Sequence, residues 1–411
     1  MSLKIACCFF FVLLGCGSFS TASLDAPAKQ PQESSESSNL VLADSIRSVY
    51  LWKQMAHVTP ALQTAFRTKT PPIIDGNLNE AAWSESATLS SFIDITGQTS
   101  MPDSISTTVQ LMWDDDALYI GAYLREPHVW GTLTKRNSII FHENDFEVFI
   151  DPDADFHRYH ELEINALGTI WELTLMSPYR DGGPYTIPDN FPGIRTAVQV
   201  HGSLNDPSDI DAGWSVEIAM PWKDLKLLHD LDQIPTDGAV WKMNFSRVRW
   251  SLTAQDSTYR KTEPPSHINW TWSPTGIVDI HRPERWGSVI FIDSESWAGN
   301  DSQSELHQTY VSNVKSDLEL QDRLMDVYYF AAHFRAWKNR FPLSLEEIHP
   351  DIRSVDSTMC YSYSGSADKY LMLIARRTPE NSCPETAEDW NQSEIRGLSI
   401  DHRGKLRRIN H

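Results

Sequence analysis

From residue 65 to residue 293 the chain alternates apolar and polar positions in short runs. Val109, Leu111 and Trp113 have polar neighbours, Asp114-Asp115-Asp116 follows, and Leu118, Ile120, Ala122 and Leu124 resume the same period. A period of two puts successive side chains on opposite faces of a strand, and three aspartates between two such runs predict the turn of a hairpin. Further runs of this kind are Phe146-Val148-Ile150, Leu162-Ile164, Trp171-Leu173-Leu175, Trp214-Val216-Ile218, Val240 to Val248 and Val289-Phe291. Many short strands with few amphipathic helices between them predict a mainly β fold, an antiparallel β-sandwich over residues 65–293.

Other textures flank that region. Residues 1–22 read as a signal peptide: Lys4 precedes an apolar run from Ile5 to Leu14, too short to span a bilayer, which takes roughly 20 residues, but suited to a signal core. The run ends Leu13-Leu14-Gly15-Cys16. This resembles the bacterial lipobox, in which the cysteine is lipidated, and Ser20-Thr21-Ala22 offers ordinary cleavage instead. The expectation is export to the cell envelope or beyond, with any membrane attachment made through a lipid on Cys16. Residues 23–64 read as a Ser-, Pro- and Gln-rich linker leading to a short helix within 40–57.

After a polar linker at 294–304, Tyr310, Val314, Leu318, Gln321, Leu324, Tyr328, Ala331 and Phe334 keep helical spacing, and strand-like segments follow. Residues 305–411 are therefore read as a small α+β domain. Its order of long helix, "RFPLSLEEI" and strands with a cysteine pair resembles the head of type IV pilin-like proteins. Cys360 and Cys383 can form a disulfide in an oxidising compartment.

Composition narrows the partners. Lys+Arg 35 against Asp+Glu 55 gives a net charge of -20, which disfavours nucleic acid and anionic lipid surfaces. Aromatic residues are concentrated instead: 11 of the 15 tryptophans lie between Trp83 and Trp286. Trp83, Trp113, Trp171, Trp214 and Trp286, on or beside the strands, are assigned to the core.

Six segments occur in an order that carries a resemblance: Ile74-Asp75-Gly76-Asn77-Leu78-Asn79-Glu80 with Trp83, "VQLMWDDDALYIGAYLREP", "ENDFEVFIDPD", "YHELEINALGTIWEL", "WSVEIAMPW" and "HRPERWGSVIF". Together they resemble the family 9 carbohydrate-binding modules in their broad form. The resemblance implies a jelly-roll-like sandwich that holds poly- or oligosaccharide without covalent chemistry, in some cases with structural calcium, and often beside polysaccharide-degrading enzymes. It implies a sugar clamped between two rings next to a carboxylate, which places Phe141 and Glu147 in the site and Asn165 near it. The family's arginine falls at Glu163 here, and its second tryptophan falls near Ile280-His281, where Trp270, Trp272 or His281 can substitute. Arg180, in the turn Tyr179-Arg180-Asp181-Gly182-Gly183, completes the candidate list.

Other chemistries have weaker claims on the same residues. Glu161 and Glu163 lie about 6.7 Å apart along one strand, a spacing within glycosidase range, but they point the same way, whereas a catalytic pair faces across the sugar. A hydrolase using Glu147, Glu161, Glu163 or Glu172 is one alternative, and a non-catalytic envelope assembly protein is the other. Asp151, Asp153 and Asp155 repeat the start of a calcium loop, but Phe156 and Leu162 stand where an EF-hand needs Gly and Glu. Calcium on these three aspartates is weighed against a solvated turn, and no cofactor is otherwise required. Haem ligation by Met112 and His142 is a further alternative. Arg282 and Arg285, on either side of Glu284, are expected to form internal ion pairs.

Overall fold

The structure is a computed structural model that describes residues 49–183, 185–186, 193–228, 234–293, 301–348, 358–377, 383–384, 389–390 and 396–409. The signal segment, Cys16 and the linker at 23–39 lie outside the described residues. The short helix expected within 40–57 covers 49–55, and the long helix begins at Asp301, so residues 301–304 are helix rather than linker.

Among the described residues the module has sixteen strands, fourteen of them in one mainly antiparallel sheet and β13 and β14 in a separate hairpin. They are β1 Leu62–Arg67, β2 Ala87–Leu89, β3 Ile93–Asp94, β4 Thr107–Trp113, β5 Ala117–Leu124, β6 Asp145–Asp151, β7 Tyr159–Asn165 and β8 Ile170–Leu175. The later ones are β9 Tyr185–Thr186, β10 Arg195–His201, β11 Gly213–Pro221, β12 Val240–Trp250, β13 Leu252–Gln255, β14 Thr258–Lys261, β15 His267–Thr271 and β16 Gly287–Ile292. One path of pairings runs β10-β11-β5-β4-β1-β16-β12-β6-β7-β8-β9. The two layers are therefore a single sheet folded over at β1, which pairs in parallel with β16 on one side and with the end of β4 on the other.

Alternation fixes what fills the space between the layers. Val109, Leu111, Trp113, Leu118, Ile120, Trp214, Val216 and Ile218 face inward from the first layer, and Phe146, Val148, Ile150, Leu162, Ile164, Met243 and Phe245 face them. Asp114 Oδ1 accepts the N–H groups of Asp116 and Ala117 at 2.8 and 2.9 Å, which closes the predicted β4–β5 turn. The outer face of the first layer is covered as well. Trp83, from the helix Ala81–Glu85, packs with Ile74 and Leu78 over Met112, Tyr119 and Ala219.

The tail packs directly on the sandwich. Helix Asp301–Lys338 lays Leu324, Val327, Tyr328 and Ala331 against Met372, Ile374, Leu398 and Ile400 of an antiparallel sheet of β17 Met359–Gly365, β18 Tyr370–Arg376, β19 Gly397–Asp401 and β20 Leu406–Ile409. Val314 of that helix packs on Ile290 and Ile292 of β16. Trp52, from helix 49–55, stacks on Tyr329 at 5.1 Å. Cys360 and Cys383 are joined in a disulfide. No helix among the described residues is long and apolar enough to cross a membrane.

Candidate functional site

The outer face of the second layer carries the chemistry. Inward positions of β6 and β7 go to Phe146, Val148, Leu162 and Ile164, so Asp145, Glu147, Glu161 and Glu163 must point outward. The registers set them in cross-strand rows. Trp171 of β8 stands opposite Glu163, Glu163 opposite Glu147, Glu147 opposite Ser246 of β12, and Ser246 opposite Thr271 of β15. In the next row Leu173, Glu161, Phe149 and Asn244 are opposed in the same way.

All four carboxyl groups are buried; Glu147 is 4% exposed. Burial away from water disfavours the charged forms, and mutual repulsion adds to this. Desolvation pushes Glu147 up to about 7, and desolvation followed by the field of Glu147 pushes Glu161 up to about 8. Asp145 and Glu163 are raised well above the usual carboxylate range, again mainly by burial. For a carboxyl with a raised folded pKa, the stabilising contribution is complete below its unfolded value and is lost as pH rises through the folded one. In chelator-containing buffer Glu161→Gln should therefore stabilise the protein at pH 8.5, by about 1–3 kcal/mol, and change little at pH 4.5. Urea midpoints at the two pH values check this.

Above the acids lies an aromatic rim. Phe141 sits in the short turn Ile140–His142, its backbone N–H donated to Glu163 Oε2 at 2.9 Å and its carbonyl accepting Trp250 Nε1–H at 3.0 Å. Its ring is 38% exposed and lies 5.8 Å from the half-buried Trp171 ring and 4.8 Å from His142. Lys261 Nζ stands 3.4 Å from the centre of the Trp250 ring, with His267 on that ring at 4.3 Å.

Phe141 and Glu147 are thus brought to one place, and Trp171, expected in the core, joins them on the outer face. Of the remaining residues of the sequence reading, Asn165 stands opposite Asp145 at the edge of this face, and the others lie elsewhere. Trp270 and Trp272 do share one face, but β15 turns it inward, leaving them 3% and 7% exposed. They are not a surface pair, because the residue between them, Thr271, takes the outer face. Asn165 is consumed by loop closure. Its Oδ1 accepts the N–H groups of Leu167 and Thr169, and its Nδ2 donates to the Leu133 carbonyl at 2.9 Å.

Arg180 is buried under the tail helix, its Nη1 3.0 Å from both oxygens of Glu284, and its guanidinium lies over Tyr328 and Tyr329. His281 packs on Tyr179, 4.6 Å between rings, with Nδ1 3.1 Å from the Tyr159 hydroxyl, and burial lowers its pKa to about 4. Neither reaches the rim. Arg282 and Arg285 form ion pairs with Asp279 and Asp322.

The alternative chemistries are placed as plainly. Glu147 and Glu163 are adjacent positions of one sheet, not groups flanking a cleft. Glu172 is paired with Arg136. Met112 lies beneath Trp83 on the first layer, with the second-layer rim holding His142, so the two do not converge on one group. Asp151, Asp153 and Asp155 do gather, with ligand oxygens within 4.8 Å of one another. Asp151 already accepts the Phe156 N–H, and Lys405 of the tail stands 2.5 Å from Asp155.

A family model described as carbohydrate family 9 binding domain-like matches residues 74–293. Exoglucanase XynX of Acetivibrio thermocellus is 24% identical over 233 residues, covering 55% of this chain and 18% of the relative. Endo-1,4-beta-xylanase A of Thermotoga maritima is 26% identical over 160 residues, 38% of this chain and 12% of the relative. The chain thus spans less than a fifth of either curated relative. Among solved structures, a family 9 module from Caldicellulosiruptor kristjanssonii in complex with cellotriose covers 58% of this chain and 96% of that chain, with 15% identity and a TM-score of 0.36. The same organism's module in complex with glucose covers 56% and 96%, with 16% identity and a TM-score of 0.37.

Proposed function

The chain belongs to the carbohydrate family 9 binding domain-like family through residues 74–293, and from that premise we propose that its sandwich binds glycan non-covalently at the rim over β6–β8. The observation that carries the placement is the Phe141–Trp171 pair, two accessible rings beside a carboxylate row. A sugar has C–H faces and hydroxyl edges, so it is held by flat apolar rings with polar groups beside them. Contact with part of each ring contributes about 1–3 kcal/mol at ~25 cal/mol/Å². His142, Lys261 and Glu147 are the polar neighbours, and a hydrogen bond to a charged group is the stronger kind. After ordering costs, dissociation constants of roughly micromolar to millimolar are expected.

Calorimetric titration with xylan-, cellulose- and galactan-derived oligosaccharides tests the placement. Phe141→Ala and Trp171→Ala should each weaken binding about tenfold, the equivalent of ~1.4 kcal/mol, with thermal melts confirming that each variant is folded at the titration temperature. Wild-type affinity in both variants would move the site away from this rim.

The reading extends to context. The apolar run ending at Cys16 supports export with a lipid anchor, and the xylanase and exoglucanase relatives support polysaccharide-degrading partners. Calcium on Asp151, Asp153 and Asp155 belongs to the same proposal, as a structural ion for the β6–β7 turn.

A further inference from the structure

We propose that the acidic row beneath the rim is a second, distinct cation site, in which Asp145, Glu147 and Glu163 hold one divalent, oxygen-seeking ion of the Ca2+ type. The site shares Glu147 with the glycan rim, but the proposal does not rest on the glycan reading and is tested without sugar.

Geometry is the first support. One carboxylate oxygen from each of the three residues lies within 4.8 Å of the others, although the residues come from two strands. A single ion with ligand distances of roughly 2.3–2.6 Å can bridge oxygens spaced in this way. Charge is the second. None of the ion pairs among the described residues includes Asp145, Glu147, Glu161 or Glu163, and the nearby Arg247 is committed to Glu126 at 2.6 Å on the opposite face. A buried carboxylate needs a partner or a proton. Arg247 acts on Asp145 only through its field, and no described cation stands within ion-pair distance of these carboxylates.

An observation outside the cluster points the same way. Ser246 of β12 stands directly opposite Glu147 on the same face, and its wholly buried hydroxyl oxygen has no hydrogen-bond partner. Asp145 Oδ2 and Glu147 Oε2 are likewise unmatched. Carboxylates with hydroxyls form an all-oxygen donor set, which suits calcium or magnesium rather than zinc or copper. The irregular spacing suits calcium, because magnesium demands near-octahedral geometry. Such an ion would lie next to the candidate sugar contact, since Glu163 Oε2 also accepts the Phe141 backbone N–H.

The full chain, stripped with EDTA, is titrated calorimetrically with CaCl2 in the absence of sugar. Wild type should take up an equivalent that Glu163→Gln and Glu147→Gln each weaken by roughly tenfold or more, and that Asp153→Asn leaves in place. Glutamine has the shape and neutrality of a protonated glutamate, so these variants should fold, and a thermal melt confirms it. If one does not fold, Asp145→Asn takes its place. The wild-type melting temperature should rise with Ca2+, and the rise should persist in Asp153→Asn. No uptake at millimolar Ca2+, wild-type uptake in the glutamine variants, or loss of all uptake in Asp153→Asn would overturn the proposal. With no sugar present, failure here leaves the glycan reading untouched.

Discussion

Glu284→Ala should lower the free energy of unfolding by about 3–5 kcal/mol, the range for removing one partner of a buried ion pair. Glu284 is wholly buried in the turn Pro283–Arg285, just before the last strand of the sandwich. Both of its oxygens accept from Arg180 Nη1 at 3.0 Å, and one also accepts the Tyr329 hydroxyl at 2.6 Å. Tyr329 receives Arg282 Nη1 at 3.2 Å, and Gln321 Nε2 donates to the Glu284 carbonyl at 2.7 Å. Without the carboxylate, the Arg180 guanidinium is left among Tyr328, Tyr329 and Asp181, with too little opposite charge. Because Tyr329 and Gln321 belong to the tail helix, the loss should appear as loosened docking of that helix as well as a lower urea midpoint. Glu284→Gln, which keeps acceptor and shape, should lose less. A change below about 1 kcal/mol for the alanine variant, the scale of exposed pairs, would show that the network contributes little.

Glu217→Ala should destabilise by a similar amount for a different reason. Glu217 lies on β11 and is wholly buried, and it accepts three donors: the backbone N–H groups of Asp75 and Gly76 at 2.8 and 2.7 Å, and Trp83 Nε1–H at 2.8 Å. Each bond to a charged acceptor contributes roughly 1.5–3 kcal/mol, and neighbouring losses are less than additive, so about 3–5 kcal/mol is expected. The glycine is required by the same arrangement. Gly76 has φ +95, and a Cβ there would lie 2.8 Å from the Val198 carbonyl carbon. Urea unfolding followed by tryptophan fluorescence, with near-ultraviolet circular dichroism for the Trp83 environment, reads the outcome. An unaltered midpoint would contradict the anchoring role.

These two sites also mark how far the sequence could be read. The segments that carry the family likeness, Ile74 to Trp83 and Trp214 to Trp222, prove to be partners in packing: one lies on the other, and Glu217 joins them. Alternation was legible wherever one strand face is buried and the other polar, as in β4, β5 and β11. It failed at β1, whose neighbours are distant in sequence, and at β15, whose Trp270 the family resemblance offered as a sugar contact although the strand turns it inward. Trp171 was missed because alternation gives a strand two faces without saying which is inside. The β7–β8 turn held the answer. Gly168, with φ +76, and the Asn165 side chain close it so that Ile164 meets Ile170. That register puts Trp171 beside Glu163 and on the outer face. For Arg180, a place in a turn leaves a ligand or an acidic neighbour equally open, and the tail helix that covers it makes a contact local spacing cannot reveal.

The seam at β1 has a consequence for how the molecule is made. Leu62 to Phe66 find their main-chain partners at Ser288 to Ile292, the last strand of the module. As the chain emerges from the ribosome, the first strand must wait for nearly the whole module before its hydrogen bonds can form. Contacts so distant in sequence slow folding, because a large loop must close before they stabilise anything. The module should therefore acquire protease resistance late and in one step, once residue 292 has emerged, with its opening strand dependent until then on chaperones or solvent.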